Sequence, residues 1–326
     1  MKKKFQHPLA GTLLAAILLF GLAGCKLFEA LSEGVSALKQ AKVADSYDPS
    51  EEYYIGRGVS AVIIDKYAPV EAKDNRTERQ ITYVNEMAGY VEAATKGVTR
   101  SAFALGSHIS NEKDRNSRGE KAQERVANLV LYKGFQVGLL QTEEVTAFAT
   151  PGGFLWISIG AVNLCNNEDE LAAIVCHELA HIILNHGMDN YRAAYKGEIF
   201  TSTLGGWFKG DGEGSIFGRL VTSVAEDAFK GYNPEQEYEA DAWGTRALAA
   251  AGYAPEAMVK VLERVEAYEK ANDVKEEDYL AHHPPISNRV KYVKDLITKE
   301  KLKPNPKTMS GPAIQARNKR FEEAFR

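Results

Sequence analysis

The 326-residue chain is poor in the features that would fix its class at once. Three cysteines are too few for a disulfide framework. The formal charge of −4 is mild, and no basic block with interleaved aromatics occurs, so nothing points to nucleic acid as a partner. No transmembrane helix is read in the body of the chain. What remains is an ordinary globular composition, 44% hydrophobic and 26% charged, at a length that suits one large or two modest domains.

The N-terminus reads as an address. Lys2, Lys3 and Lys4 precede an apolar stretch from Leu9 to Leu22 that is short for a bilayer span, and small residues follow. Residues 1–24 are therefore expected to be a secretory signal. Leu22-Ala23-Gly24-Cys25 resembles a bacterial lipobox, which implies a lipid on Cys25 and residues 25–47 as a tether to the membrane. Lys26 is not the aspartate that holds similar lipoproteins at the inner membrane, so the expectation is the periplasmic face of the outer membrane. Cys165 and Cys176 remain. They flank the start of a helical run, and about eight helical rises separate that start from Cys176, which puts their Cα atoms beyond the roughly 7 Å that a disulfide allows. Cys176 reads as a packed core thiol.

The chemistry begins at Val175-Cys176-His177-Glu178-Leu179-Ala180-His181, inside the apolar run from Leu171 to Leu184. Residues four apart on a helix lie about 40° apart around its axis, so His177 and His181 can offer two imidazoles to one ion. Glu178 sits one step around, within reach of a metal-held water as a general base must be. The flanks leave almost no polar face, so the helix is expected to be buried, and unpaired imidazoles there would cost several kcal/mol. Asn167 as N-cap and Glu168, Asp169 and Glu170 in the first turn mark its start. A different zinc-protease pattern needs a glycine three residues and a histidine six residues after the second ligand. Those places hold Leu184 and Gly187, which excludes it. His186 is about 140° around from His181 on a regular helix and cannot join the same ion, so it reads as a surface histidine or as one standing behind a ligand.

A third ligand must come from elsewhere. Asn233-Pro234-Glu235-Gln236 is a helix start, with Glu237 and Asp241 on one face just inside it. One carboxylate can ligate the ion while the other accepts a hydrogen bond from a ligand histidine. Glu239, about 160° from Asp241, is the poorer candidate, and a merely solvated acidic face is the bland alternative.

Around these half-sites, helices are expected from Asp48-Pro49, from about Glu78 to Lys96, and from Gly119 to Tyr132, with a polar loop at 107–118. Phe135–Leu140, Val145–Ala149 and Phe154–Ile159 read as short strands, divided by Gln141-Thr142-Glu143 and by Pro151-Gly152-Gly153. An edge strand beside a catalytic metal can hold an extended peptide; an ordinary hairpin is the other reading. The glycines around Trp207 and Phe208 suit either a mobile cover or an uninvolved loop. The chain after Lys301, residues 301–326, is expected to be extended and then briefly helical.

These motifs resemble the gluzincin metalloendopeptidases that include the CAAX prenyl protease and HtpX, in particular their periplasmic lipoprotein-type members. The resemblance rests on His177-Glu178-Leu179-Ala180-His181, on Glu237 with Asp241, and on Ala147-Phe148-Ala149-Thr150-Pro151-Gly152-Gly153. It rests also on His283-Pro284 with Arg289, and it covers roughly residues 50–297. It implies Zn2+ held by His177, His181 and Glu237, Asp241 behind one histidine, and Ala147, Phe148 and Ala149 as the substrate-binding edge strand. His283 either steadies the oxyanion or blocks the metal, and Arg289 braces the His283 loop, assists the oxyanion or is a plain surface arginine. Thr146 stands where many members carry asparagine.

The expectation is thus an α+β, mainly helical zincin-like domain over residues 48–300 with a small sheet. It would be a zinc endopeptidase acting on unfolded or misassembled envelope polypeptides through water activated by Glu178. The alternative is a latent or chaperone-like zinc lipoprotein whose site His283 blocks.

Overall fold

The computed structural model of the chain describes residues 48–95, 131–204, 216–272, 284–304 and 306–326. Cys25, the 107–118 loop, the glycine-rich insertion and His283 lie outside these residues, as does the helix expected from Gly119, except at its end. There Leu131 and Tyr132 are not helical. The chain divides into two compact units, residues 1–47 with 192–213 and residues 48–191 with 214–326. The second holds every element described below, apart from the last turns of one helix.

Helix α1 (Pro49–Lys66) opens on a capping box. The Asp48 carboxylate accepts from the N–H groups of Ser50 and Glu51, and Glu51 accepts from the N–H of Asp48. Helix α2 (Asn75–Thr95) starts three residues earlier than its apolar periodicity suggests, because Asp74 accepts from the N–H groups of Arg76 and Thr77. Its buried face is Val84, Met87, Ala88 and Val91.

Three short strands follow: β1 (Gln136–Leu140), β2 (Ala147–Thr150) and β3 (Phe154–Ser158). The sheet order is β1-β3-β2, with β1 parallel and β2 antiparallel to the central β3. Pro151–Gly153 forms a tight 3-10 turn in which Gly152 and Gly153 have φ of 72° and 105°, conformations that favour glycine. The third strand stops before Ile159 because the Ser158 hydroxyl accepts from the N–H of Ala161 and caps helix α3 (Ile159–Leu164). The outer edge of β1 is covered: Val70 N–H donates to Leu139 O, Gln141 N–H donates to Ala68 O, and the Asn85 amide bonds both backbone groups of Val137. Among the described residues β2 forms the other edge of the sheet.

Helix α4 (Glu168–Ile183) is the axis of the fold. Asn167 caps it by accepting from Glu170 N–H, and every residue in it but Asp169 and His177 is buried. Helices α5 (His186–Leu204) and α6 (Ile216–Lys230) follow, then α7 (Pro234–Ala250), α8 (Glu256–Ala271), α9 (Ile286–Glu300) and α10 (Gly311–Phe325). The most extensive packing is α4 against α7. Gly244 sits at that seam, where an added Cβ would lie 2.9 Å from Met258 Cε and 3.1 Å from His177 N. The two helices that carry the half-sites can approach this closely only because the position lacks a side chain.

Helix α10 departs from the expectation of a brief helix in an extended tail. It is 15 residues long, and Phe321, Ala324 and Phe325 pack into the main core. Arg317 pairs with Asp169 at 3.0 Å and Arg320 with Glu168 at 2.9 Å, placing two cations over the acidic first turn of α4. Cys165 and Cys176 are unpaired and buried, and burial pushes both thiols well up. No single helix among the described residues is long and apolar enough to cross a membrane. The architecture is α+β, a mainly helical zincin-like domain with a small mixed sheet.

Candidate metal centre

Two helices bring the half-sites together. Helix α4 projects His177 and His181 from one face. Helix α7, started by Asn233 accepting from Gln236 N–H and by Pro234 at its first position, projects Glu237 and Asp241 toward them. Ligand atoms of His177, His181 and Glu237 all lie within 4.8 Å of one another. His177 Nε2 is 3.1 Å from His181 Nε2 and 3.5 Å from Glu237 Oε2, and His181 Nε2 is 3.8 Å from Glu237 Oε1. Tetrahedral coordination with bonds of about 2.0–2.1 Å separates ligand atoms by roughly 3.3 Å, so these donors are spaced as three corners around one small cation. Two nitrogens and a carboxylate oxygen are also a donor set that suits zinc.

Behind these groups stands a second layer. His177 Nδ1 lies 3.1 Å from Asp241 Oδ1, though off the line of a good hydrogen bond. Arg289, on α9, donates through Nε to Asp241 Oδ2 at 2.8 Å and through Nη2 to Asp241 Oδ1 at 2.7 Å. Its Nη1 lies 2.8 Å from Glu237 Oε2. Arg289 is buried, so it is not a surface arginine. It clamps the two carboxylates of α7 in a bidentate and bridging arrangement.

His186 is buried too, which removes the surface reading. Helix α4 ends at Ile183, Asn185 takes a left-handed φ of 70°, and α5 begins at His186. This break abolishes the regular 140° rotation and turns the imidazole back toward α4. His186 Nδ1 then lies 2.8 Å from His181 Nδ1, and its Nε2 lies 3.1 Å from Glu239 Oε2. Glu239, the poorer candidate for the ion, serves the layer behind it.

Tyr232 has no signal in the sequence beyond its place just ahead of an N-cap. Its ring stacks on His181, with centroids 4.1 Å apart and planes at 17°, and its hydroxyl donates to Ala149 O at 2.9 Å. The tyrosine thus links one metal-site imidazole to the edge strand. Glu178 is buried, and the Ala149 backbone of the same strand acts to lower its pKa. Ser158 N–H donates to Thr146 O, so by alternation along β2 the backbone groups of Ala147 and Ala149 face away from β3.

Charge is unevenly distributed over the site. Burial opposes a charge on His177, but the carboxylates of Asp241 and Glu237 outweigh it and hold its pKa up at about 10. Burial keeps His181 neutral, its pKa well below the usual value. Glu178 is pushed up to about 7, chiefly by burial. Burial acts the same way on Asp241, but Arg289 prevails and holds it below the ordinary carboxylate range.

A cavity of about 140 Å³ adjoins the site, lined by Ile174, Leu262, Val265 and Ile286 together with Thr146, His177, Glu178 and Arg289. A larger one, about 400 Å³, lies between α2 and α10 at the start of α4 and includes none of the metal-site residues.

The fold and this constellation define a metallopeptidase, and comparison with known proteins agrees. Peptidase family M48 matches residues 110–297, more than half of the chain, and the chain belongs to that family. Mitochondrial metalloendopeptidase OMA1 of Saccharomyces cerevisiae is 25% identical over 158 residues, covering 46% of this chain and 42% of that one. The beta-barrel assembly-enhancing protease of Escherichia coli K12 is 26% identical over 160 residues, 47% of this chain and 32% of its own. Metalloprotease YcaL of the same organism is 22% identical over 194 residues, 57% and 74%. The chain thus spans less than half the length of the first two.

Proposed function

We propose that the protein is a zinc endopeptidase that cleaves unfolded or misassembled polypeptides at the bacterial envelope. The observation that carries this reading is the convergence of His177, His181 and Glu237 beside a buried Glu178 at a sheet edge. A bound zinc ion supplies Lewis acidity to water and to the scissile carbonyl. His177, His181 and Glu237 hold that ion, while Asp241 and Arg289 keep the first and third of them in place. Glu178 takes the proton of the attacking water and passes it to the leaving amine. An extended peptide pairs with the outward backbone groups of Ala147 along β2, which binds a chain without reading its sequence. The apolar cavity beside Glu178 accepts an uncharged side chain next to the scissile bond.

Glu178→Gln tests the base. The variant is expected to retain stoichiometric zinc while cleavage of an unfolded test protein drops at least ~100-fold. Wild-type cleavage by this variant would falsify the assignment. His283, just ahead of the Pro284 that precedes α9, is proposed to act on the oxyanion or on the metal, and the same assay on His283→Ala separates the two. A loss of activity supports the first, a gain supports a blocking residue, and no cleavage by either protein favours a latent, chaperone-like role.

Location is a proposal from the sequence. Residues 1–24 direct export and a lipid on Cys25 holds the domain at the membrane through the tether 25–47. Cys25→Ser should move the protein from the membrane fraction to the soluble one; an unchanged distribution would rule the anchor out.

A further inference from the structure

The layer behind His181 is built differently from any other contact of the site. His181 offers Nε2 to the ion, as proposed above, so its Nδ1 must carry the proton. The atom facing that proton is His186 Nδ1, at 2.8 Å, which must then be the bare nitrogen of its ring. The proton of His186 therefore sits on Nε2, which faces Glu239 Oε2 at 3.1 Å. The opposite assignment for a neutral His186 sets its bare Nε2 against a carboxylate oxygen and turns the bare nitrogen of His181 away from the ion. All three side chains are buried, at 2%, 2% and 7% exposure for His181, His186 and Glu239, so water cannot substitute for a missing link.

We propose that His186 and Glu239 are positioning residues for zinc: together they fix His181 as the tautomer whose Nε2 lone pair faces the ion. Glu239 holds the His186 proton on Nε2, His186 thereby presents an acceptor to His181, and His181 presents its lone pair to the metal. Each link is directional, and each ends on a group that cannot donate back. The left-handed turn at Asn185 is the backbone device that makes it possible, because it returns a residue five positions along the chain to the ring of His181. This rests on the zinc-site reading and deepens it, since it assigns work to two residues that do not touch the ion.

The test is zinc affinity of the full-length protein, measured by competition with a chromogenic chelator, with the metal-free thermal midpoint recorded alongside. His186→Leu removes the acceptor and is expected to weaken zinc binding roughly 10- to 100-fold. His186→Asn keeps an acceptor oxygen close to the lost Nδ1 and should recover most of that affinity. Glu239→Gln should fall between the two. Nitrogen-15 shifts of the His181 ring should report a protonated Nδ1 in the metal-free wild type and a mixture of tautomers in His186→Leu. Wild-type affinity in His186→Leu overturns the proposal, and so does equal weakening in His186→Leu and His186→Asn, which is what a purely packing role predicts. His181→Ala is the control: if wild type binds zinc and this variant does not, a failure above belongs to the relay alone. If wild type itself binds no zinc, the zinc-site reading has failed.

Discussion

The two imidazoles that face the ion come from one helix, one turn apart, yet they are supported in opposite ways. His177 leans on charge: a carboxylate 3.1 Å from its Nδ1, itself gripped by the buried guanidinium of Arg289. His181 leans on two rings, a second imidazole at its Nδ1 and a tyrosine stacked on its face, with the carboxylate of Glu239 one residue further back. The difference shows in their protonation, since the first is held up at about 10 and the second is held neutral. A carboxylate at Nδ1 holds the ring through one charged contact, whereas an imidazole there holds it through a longer chain of contacts. Both rings must offer a bare Nε2 to an ion, so the two supports reach one end by different routes, a carboxylate at Nδ1 for His177 and an imidazole at Nδ1 for His181.

The sharpest way to break this contrast is to remove the cation on the charged side. Arg289→Met strands Asp241 and Glu237 in a buried setting, and loss of one partner from such a cluster costs about 3–5 kcal/mol. Denaturant unfolding in the presence of a chelator should show a loss of that size. Added zinc should raise the midpoint of both proteins, because the ion binds only the folded chain. An unchanged midpoint in chelator would mean that Arg289 is not what holds the carboxylates. On the neutral side the corresponding change, at His186, is expected to act on metal affinity more than on metal-free stability.

The same asymmetry explains how much could be read without coordinates. His177, Glu178, His181, Glu237 and Asp241 are legible because helical spacing is local: four residues put two side chains on one face whatever the rest of the fold does. The ends of α1 and α7 are legible for the same reason, through Asp48 with Glu51 and Asn233 with Gln236. The neutral support is opaque to that reasoning. It depends on the helix failing at Asn185, where a single left-handed residue overrides the rotation that a regular helix would impose on His186. Glu239 is legible only as the poorer ligand candidate; its contact with His186 depends on that break. Tyr232 and Arg289 reach the site from segments whose approach is set by tertiary packing, and α10 gains its length from docking onto α4 rather than from its modest apolar content.

Tyr232 offers the finest cut, because it can be dissected into ring and hydroxyl. The ring is what touches His181, and the hydroxyl is what touches β2. Tyr232→Phe keeps the stacking and removes one buried hydrogen bond, so a stability loss of only about 0.5–1.5 kcal/mol is expected with zinc affinity unchanged. What should move is the edge strand: the carbonyl of Ala149 loses its partner, and peptide cleavage should change while metal content does not. Tyr232→Leu removes the stacking as well and should lower zinc affinity, since His181 loses the surface that holds its plane. If Tyr232→Phe already weakens zinc binding as much as Tyr232→Leu does, the ring contributes nothing separate and His181 is held by hydrogen bonding alone.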